Sequence, residues 1–518
     1  MNRHTLLLAV VLLYAAAFRF IALNRPFEYD LEAASNSQYG VLARNYLRFD
    51  LGQTQGIPVL TVSHLPNAPI VFYPDHPPLV PLFIVPFYAL FGVGEWQTRL
   101  PTSMATVAAT YVLYLLLTRF ATRRIGLIAA AVFAATPMTL YFGGFADPIG
   151  MPLILFVLLS GIGYLHFHSR PGFLTLIPLV VAFVLAGLCG WPAYVIVPVF
   201  LAHFVATRPR RQWLWIIAFC LTACALFTAT YVYIALATDS PWDWMVPLFN
   251  RRSLIGTNPF TLTQWLAAAL AINGRYHTFP LLVASCIWLV MFGLRTRHAQ
   301  SSATVALILM AWGILCVLIG GKAAYDHPYL WLPITPGVAI GAALLVERIL
   351  RRAEHRGLAN AANRIVVLFL VLFASWTGYT TFREFYPLKQ DRPFTPMELG
   401  QAIQAAAPDP SDLVLLVGGE EAEPQLWFYG DRPLRIRVWS IEEFKRRLHD
   451  ETADLMYDFD VQPWRAAGAG IVFPAVYRRD FGNFRAYLQQ HYSLVPLPTA
   501  LADKFDVFDL RHPLAGAP

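Results

Sequence analysis

Charged residues are scarce in this chain. Asp, Glu, Lys and Arg make up only 14% of its 518 residues, and hydrophobic residues make up 57%, whereas soluble proteins carry about 25% charged residues. Long apolar runs recur between residues 5 and 382, and such runs are typical of membrane-spanning helices. The scarcity of charge therefore excludes a soluble protein for most of the chain and predicts a polytopic α-helical membrane protein.

Cysteine is also rare, and its placement excludes two classes of small domain. The five cysteines lie in or beside apolar segments, at Cys189, Cys220, Cys224, Cys286 and Cys316. None lies after residue 385, so no disulfide framework is predicted there, and no Cys/His spacing is typical of a zinc site. We expect each cysteine to be a buried, unreactive thiol.

Eleven apolar segments are predicted to cross the membrane, and two more raise the count to as many as thirteen. The eleven are 5–23, 98–119, 125–143, 147–167, 172–188, 190–206, 213–236, 278–294, 303–319, 329–348 and 364–382. The segment 79–94 follows two prolines and contains two more, so we expect a helix at the outer interface instead of a crossing. The segment 260–272, with Trp265 as an aromatic anchor, is a second interfacial candidate.

The charges of the short loops predict the orientation. If the N-terminus is cytoplasmic, every inner loop is short and basic, as the positive-inside rule requires. These loops are 119–124, 168–170, 208–211, 295–298 and 348–364, and they account for much of the formal charge of +7 without a nucleic-acid partner. We therefore expect a multi-pass protein of the cytoplasmic (inner) membrane, with its C-terminal domain in the periplasm or otherwise extracytoplasmic.

Composition changes near residue 385 and divides the chain into two predicted domains. Residues 1–385 form the membrane domain, which includes a polar first outer loop at 24–97, and residues 386–518 form a small soluble α/β domain. Strand-like runs at 413–417, 470–473 and 505–510 alternate there with helical segments around 442–444 and 483–491. We find no catalytic triad there, and Gly418-Gly419 resembles a nucleotide loop only weakly, so a structural or acceptor-binding role is expected.

The first outer loop carries polar groups that a hydrophobic bundle does not need. It contains Asp30 and Glu32, then the amphipathic stretch Tyr39–Asn45, then the turn Asp75-His76-Pro77-Pro78. Paired prolines fix the backbone after the histidine and present its side chain. We expect this loop to be half of an active site.

Later outer loops add further polar residues on the same predicted face. Asp147 precedes Pro148 between two apolar segments, where it could be no more than a helix cap. Lys322, His327 and Tyr329 follow much later, in a stretch that could be only a solvated loop with an interfacial tyrosine. The predicted topology places all of these residues on the same face as the first outer loop. The alternative to a cap and a solvated loop is therefore that they complete the active site.

The order of these motifs resembles the GT-C superfamily of membrane glycosyltransferases. The motifs are Ala43-Arg44-Asn45, Asp75-His76-Pro77-Pro78-Leu79, Phe91-Gly92-Val93-Gly94-Glu95, Arg99-Leu100-Pro101, Ala146-Asp147-Pro148 and His327-Pro328-Tyr329. The protein O-mannosyltransferases carry His-Pro-Pro-Leu, and the aminoarabinose transferase of lipid A carries Glu-Lys-Pro-Pro-Leu. The resemblance implies the GT-C fold for residues 1–385. It also implies an enzyme that moves a sugar from a polyprenyl-phosphate donor to a lipid, glycan or protein acceptor at the membrane.

Two departures from the family pattern bear on the site. The family usually shows adjacent Asp-Glu about nine residues before the Ala-Arg pair, whereas Asp30 and Glu32 are separated by Leu31 and lie further upstream. The lysine that follows a Leu-Thr pair in the aminoarabinose enzyme has no counterpart, since Cys189-Gly190-Trp191 stands there.

The resemblance and the chemistry of transfer together give the expected roles. An inverting transfer needs a carboxylate to deprotonate the acceptor, and we expect Asp30 to be this base, with Glu32 second and Asp147 orienting the acceptor or helping the base. The departing phosphate needs positive charge and hydrogen-bond donors. The expected substrate-binding residues are Asp75, His76, Lys322, His327, Tyr329, Arg251, Arg252 and Arg275. No cofactor and no metal ligands are assigned, and a divalent cation stays open.

A second interpretation is a polytopic transporter or lipid-binding membrane protein without glycosyl transfer, whose polar groups line a pathway. Such a protein is expected to show internal repeats and charges at the bilayer midplane, whereas here the acids gather at one face and no repeat is visible. Among enzymes the nearest rival is a metal-dependent oligosaccharide transferase, and its Trp-Trp-Asp signature is missing after residue 385.

Overall fold

The computed structural model describes residues 3–21, 23–62, 70–254, 259–291, 302–385, 393–417, 423–437, 465, 468–479 and 482–514. The predicted inner loop 295–298, the helical segment 442–444 and the Gly418-Gly419 pair lie outside these residues. The start of the predicted soluble domain, at residue 386, also lies outside them.

Helices make up the membrane part and confirm the predicted fold class. In chain order they are α1 (Arg3–Ile21), α2 (Leu31–Arg48), α3 (Leu51–Thr54), α4 (Leu79–Phe91), α5 (Glu95–Phe120), α6 (Arg123–Ala135), α7 (Pro137–Phe142), α8 (Met151–Ser169), α9 (Phe173–Cys189), α10 (Ile196–Thr207), α11 (Trp213–Ala237), α12 (Met245–Arg252), α13 (Leu262–Asn273), α14 (Phe279–Met291), α15 (Ser302–Ile319), α16 (Gly321–Asp326), α17 (Thr335–His355) and α18 (Ala359–Phe385). Within the described residues, six helices are long and apolar enough to cross a membrane, and shorter apolar helices accompany them.

Within the described residues, each of the eleven predicted crossing segments falls on a helix or on two consecutive ones, and residues 22 and 292–294 of these segments lie outside that description. The segment 125–143 is divided at Pro137, which lacks an amide hydrogen and so begins α7. The segments 190–206 and 329–348 begin as 3₁₀ turns, Trp191–Val195 and Pro328–Ile334, before α10 and α17. Both turns lie at the predicted outer end of the bundle, where the second one lines a cavity through Tyr329 and Leu330.

The two interfacial predictions correspond to α4 and α13. These helices have 13 and 12 residues, which gives lengths of about 20 Å and 18 Å, less than the ~30 Å core of a bilayer. α4 packs against α2 and α5. α10 and α14, which belong to predicted crossings, have 12 and 13 residues as well, so the interfacial position of α4 and α13 stays a prediction.

The core of the bundle lies where α5, α6, α8 and α17 pack on one another. Phe133 and Tyr164 are fully buried there. The cysteine prediction is wrong for Cys224 and Cys286, which are exposed on α11 and α14, because both helices turn much of their apolar surface outward. Surface of this kind suits contact with lipid.

The C-terminal part is a small α/β unit, as predicted. Its strands are β1 (Val414–Val417), β2 (Leu434–Arg437), β3 (Gly470–Pro474), β4 (Tyr492–Leu494) and β5 (Phe505–Pro513), and its helices are α19 (Pro396–Ala406), α20 (Glu423–Gly430), α21 (Gly482–His491) and α22 (Thr499–Ala502). The sheet order is β2-β1-β3-β5-β4, with β1 parallel to β2 and β3 and with β5 antiparallel to β3 and β4. Apolar clusters cover both faces of the sheet.

α20 attaches this unit to the membrane part through α2. The Arg44 guanidinium donates to the carbonyl oxygen of Phe428 at 3.0 Å, and both Arg44 and Arg48 pair with Asp431 at 2.7 Å. Gly40 lies so close that an added Cβ would be 2.8 Å from the Phe428 ring. The basic end of α2 therefore holds the C-terminal unit, which leaves the earlier part of the helix to face the cavity.

Candidate active site

A polar cavity of about 400 Å³ lies at the end of the bundle that the charge pattern predicts to face outward. α2, the turn before α4, the α7–α8 loop, α12 and α16 enclose it. Its polar lining residues are Ser35, Gln38, Tyr39, Tyr73, Asp75, His76, Asp147, Arg251, Arg252, Lys322, Asp326, His327 and Tyr329. Eight of the eleven predicted site residues thus meet in one place, although they come from four separate stretches of the chain.

Asp147 is the most buried carboxylate of the cavity, with 8% of the residue exposed. It is not a helix cap, because α8 begins after Gly150 and its first turn receives no side-chain cap. Its Oδ1 instead accepts the backbone N–H of Ile149 at 2.9 Å, and the Ser35 hydroxyl lies 3.4 Å from its Oδ2. Burial raises the pKa of Asp147 from 3.8 to about 6, and the Ile149 hydrogen bond and the charge of Arg252 limit the rise.

The loop around Asp147 is tight, and glycine makes it so. A Cβ at Gly150 would lie 2.6 Å from the carbonyl oxygen of Phe145 and 2.8 Å from that of Asp147. The Ser35 hydroxyl also donates to the carbonyl oxygen of Ala146 at 2.8 Å. These contacts fix the carboxylate against α2.

The Asp75-His76 turn lies opposite and is joined to Arg252. The Arg252 Nη1 is 3.1 Å from His76 Nε2, and its Nη2 is 3.8 Å from Asp75 Oδ2. Burial first, and the Arg252 charge second, lower the pKa of His76 well below its usual 6.5. Since a guanidinium can only donate, Nε2 accepts and the proton of the neutral ring sits on Nδ1. That Nδ1 is buried and has no partner in the described part of the chain.

Cationic groups form the other wall. Arg251 and Arg252 come from the C-terminal end of α12, and Lys322 comes from α16. The His327 ring stacks on Tyr329 at 5.5 Å between ring centroids. Burial lowers the pKa of His327, although Asp326 opposes this. The cavity therefore presents permanent positive charge and neutral hydrogen-bonding groups together.

Three predicted residues lie away from the cavity. Asp30 caps α2 and pairs with Arg25 at 2.9 Å, whereas Glu32 is buried and pairs with Arg99 at 2.9 Å. Arg275 pairs with a glutamate of α18 at 3.0 Å on the exposed surface. In each case an ion pair already neutralises the charge, with a neighbour five residues away for Asp30 and with partners far along the chain for Glu32 and Arg275.

The cavity also contains polar residues that the motif search did not select. Ser35, Gln38 and Tyr39 lie on the face of α2 that lines it, and their i, i+3, i+4 spacing is the signal that would have found them. Ser35 precedes Arg44 by nine residues, close to the place where the GT-C pattern usually has its acidic pair. Here α2 supplies a hydroxyl where an acid was expected.

Comparisons with known proteins agree with this architecture. Over residues 75–234 the chain matches a family model described as dolichyl-phosphate-mannose-protein mannosyltransferase, and this region contains the Asp75-His76 turn and Asp147. No curated protein matches the chain.

Two solved structures share the fold across nearly the whole chain. ArnT from Cupriavidus metallidurans bound to undecaprenyl phosphate is 14% identical with a TM-score of 0.63, and the match covers 98% of both chains. The archaeal oligosaccharyltransferase AglB from Archaeoglobus fulgidus, in complex with an inhibitory peptide and a dolichol-phosphate, is 11% identical with a TM-score of 0.58. That match covers 95% of this chain and 72% of AglB. The protein therefore has the GT-C fold and resembles ArnT and the protein mannosyltransferases.

Proposed function

We propose that the protein is an inverting glycosyltransferase. It moves a sugar from a polyprenyl-phosphate donor to a lipid, glycan or protein acceptor at the outer face of the cytoplasmic membrane. Residues 1–385 are the catalytic membrane domain, and residues 386–518 form an extracytoplasmic domain. The N-terminus faces the cytoplasm.

One observation carries this proposal: the cavity sets a buried carboxylate, Asp147, near a wall of fixed positive charge. A transfer from a lipid phosphate needs both groups, because the acceptor hydroxyl must lose a proton and the departing phosphate must be stabilised. The structures that share the fold support the donor class, since ArnT is bound to undecaprenyl phosphate and AglB is in complex with a dolichol-phosphate.

Asp147 replaces Asp30 in the role of base. With a pKa near 6 it is mostly ionised at pH 7 and still basic enough to accept a proton, which is the compromise that general-base catalysis favours. Asp30 and Glu32 hold arginines outside the cavity, so their assignment as base stays a prediction with less support than that of Asp147.

Arg251, Arg252 and Lys322 bind the phosphate in this scheme. Arginine suits phosphate because its planar fork donates two parallel hydrogen bonds. The Nδ1–H of His76 adds a neutral donor, and Tyr329 adds a hydroxyl. In the described chain no three His, Cys, Asp or Glu side chains come together as metal ligands.

The proposal is tested with purified protein, undecaprenyl-phosphate sugars and an envelope extract as the acceptor source. The expected result is acceptor-dependent release of undecaprenyl phosphate, with the anomeric configuration of the product inverted in its NMR coupling constants. Retention of configuration, or no release from any sugar donor under conditions where the protein stays folded, contradicts it.

Orientation has its own test. Alkaline phosphatase fused after residue 518 is active only outside the cytoplasm, so we expect an active fusion. A fusion that is inactive as phosphatase, with a cytoplasmic reporter active at the same point, contradicts the orientation.

A further inference from the structure

A second cavity, of about 750 Å³, lies at the opposite end of the bundle, between α1, α6, α17 and α18. Its volume is in the range of ~300–1,000 Å³ that small-molecule sites occupy. Residues of the first outer loop and of the catalytic cavity do not line it. It takes no part in the proposed transfer.

Polarity divides this cavity sharply. Its basic residues, His4, Arg123 and Arg124, gather at one end together with Thr122 and Asn363. The walls beyond are aliphatic as far as Tyr14 and Ser375 at the other end, where the Tyr14 hydroxyl donates to the carbonyl oxygen of Ala374 at 2.8 Å. A ligand that fits must therefore have one anionic end and a long apolar body.

The length of the cavity matches one leaflet. From His4 to Tyr14 the wall is ten residues of helix, or about 15 Å. Half of a ~30 Å hydrocarbon core has the same depth. The basic end is the one that the charge pattern predicts to be cytoplasmic, and basic pockets between membrane helices on that side are suited to anionic headgroups.

The charges at the basic end are unequal. Arg124 pairs with Glu347 at 2.5 Å and also with Glu354, whereas Arg123 is exposed and forms no ion pair with another described residue. Arg123 stands at the first position of α6, whose first turn has no acidic residue. Positive charge at a helix N-terminus is unfavourable, and an anion at this point relieves it.

We propose that this cavity binds an anionic phospholipid of the cytoplasmic leaflet. Its phosphate pairs with Arg123 and its acyl chains lie along α1, α6 and α18 as far as Tyr14.

The test is native mass spectrometry of delipidated protein, titrated with phosphatidylglycerol or with phosphatidylcholine of the same acyl chains. Wild-type protein is expected to bind phosphatidylglycerol more tightly. Arg123→Gln should weaken that binding about fivefold, because one arginine near an anionic headgroup is worth ~1 kcal/mol, and should leave phosphatidylcholine unchanged. Arg211→Gln, an exposed arginine on the same predicted face but outside the cavity, is the matched control and should behave as wild type.

A filling variant tests the acyl-chain part. Ala131→Phe places a ring inside the cavity and should lower the binding of both lipids, whereas Ala225→Phe on the exposed surface of α11 should not. Equal wild-type binding of the two lipids overturns the proposal, since ordinary annular lipid then explains it. So does an unchanged preference in Arg123→Gln, an equal loss in Arg211→Gln, or unchanged binding in a folded Ala131→Phe protein.

Discussion

Replacing Arg252 with glutamine should move the pH dependence of transfer. Arg252 holds down the pKa of Asp147, so its removal lets that pKa rise above about 6. The transfer reaction requires the ionised Asp147 carboxylate. The acidic limb of the pH profile of kcat/KM should therefore shift to higher pH.

The size of the shift follows from the cavity. We take the two charges to lie across the cavity, whose 400 Å³ equals the volume of a sphere about 9 Å across. Two unit charges at that separation interact by roughly 1.8 kcal/mol at an effective dielectric of ~20. This equals a little over one pKa unit. The Arg252 side chain is 40% exposed, so screening by water reduces the expected shift to about half a unit to one unit.

The assay is kcat/KM for the polyprenyl-phosphate donor from pH 5 to pH 8. Arg252→Lys is the matched control, because it keeps the charge and loses only the planar fork. We expect its acidic limb to stay where the wild-type limb lies, even if its donor KM rises. An unmoved limb in Arg252→Gln, or equal movement in both variants, refutes the coupling between Arg252 and Asp147.

The remaining predictions concern three other residues. His76→Ala should raise the donor KM on the order of tenfold to a hundredfold, since a hydrogen bond to a charged phosphate is worth about 1.5–3 kcal/mol; a changed thermal midpoint with an unchanged KM would make the residue purely structural. Glu32→Gln should destabilise the fold by roughly 3–5 kcal/mol, because it leaves Arg99 buried without its partner, and denaturant unfolding measures this. Asp30→Asn should cost no more than about 1 kcal/mol, the worth of its ion pair with Arg25, because asparagine caps a helix as well as aspartate does. It should retain most of its turnover, and loss of turnover in a stably folded protein would return the base to Asp30.

Topology explains why so many cavity residues could be predicted. Asp75, Asp147, Lys322 and His327 are far apart in sequence, but each lies in a loop that the positive-inside rule assigns to the same face. In a bundle of crossing helices, loops on one face lie at the same end of the bundle, so their residues can meet there, although Arg275 on the same face does not. The apolar runs were long enough to identify the crossing helices. Counting these helices along the chain then assigned each loop to one side of the membrane.

The choice among the acids could not be made in this way. Asp30 and Glu32 begin the same helix as Ser35, but their side chains meet Arg25 and Arg99 instead of the cavity. Those partners depend on how α2 is rotated against α5 and the end of α1, which no local pattern records. The helical spacing from Ser35 to Tyr39 places these residues on one face of α2. The spacing does not tell whether that face lines the cavity or packs against another helix.

The contact between the C-terminal unit and α2 could not be predicted from the sequence either. Arg44 belongs to a motif that resembles part of an active site, and its partner Phe428 lies more than 380 residues later. A contact of that separation arises from tertiary packing alone. The glycine at position 40, which allows the Phe428 ring to approach α2 closely, is the clearest sign of this contact in the sequence. Its role becomes evident only from the structure.

The turnover of Asp147→Asn tests the central claim most directly. With purified protein at pH 7 we expect a loss of 10²–10⁴-fold, roughly 3–5 kcal/mol of barrier, while undecaprenyl phosphate still binds and the unfolding midpoint is kept. Asp75→Asn, the other carboxylate beside Arg252, serves as the matched control and should retain far more turnover. A folded Asp147→Asn protein that transfers sugar at nearly the wild-type rate would contradict the assignment of this carboxylate as the base.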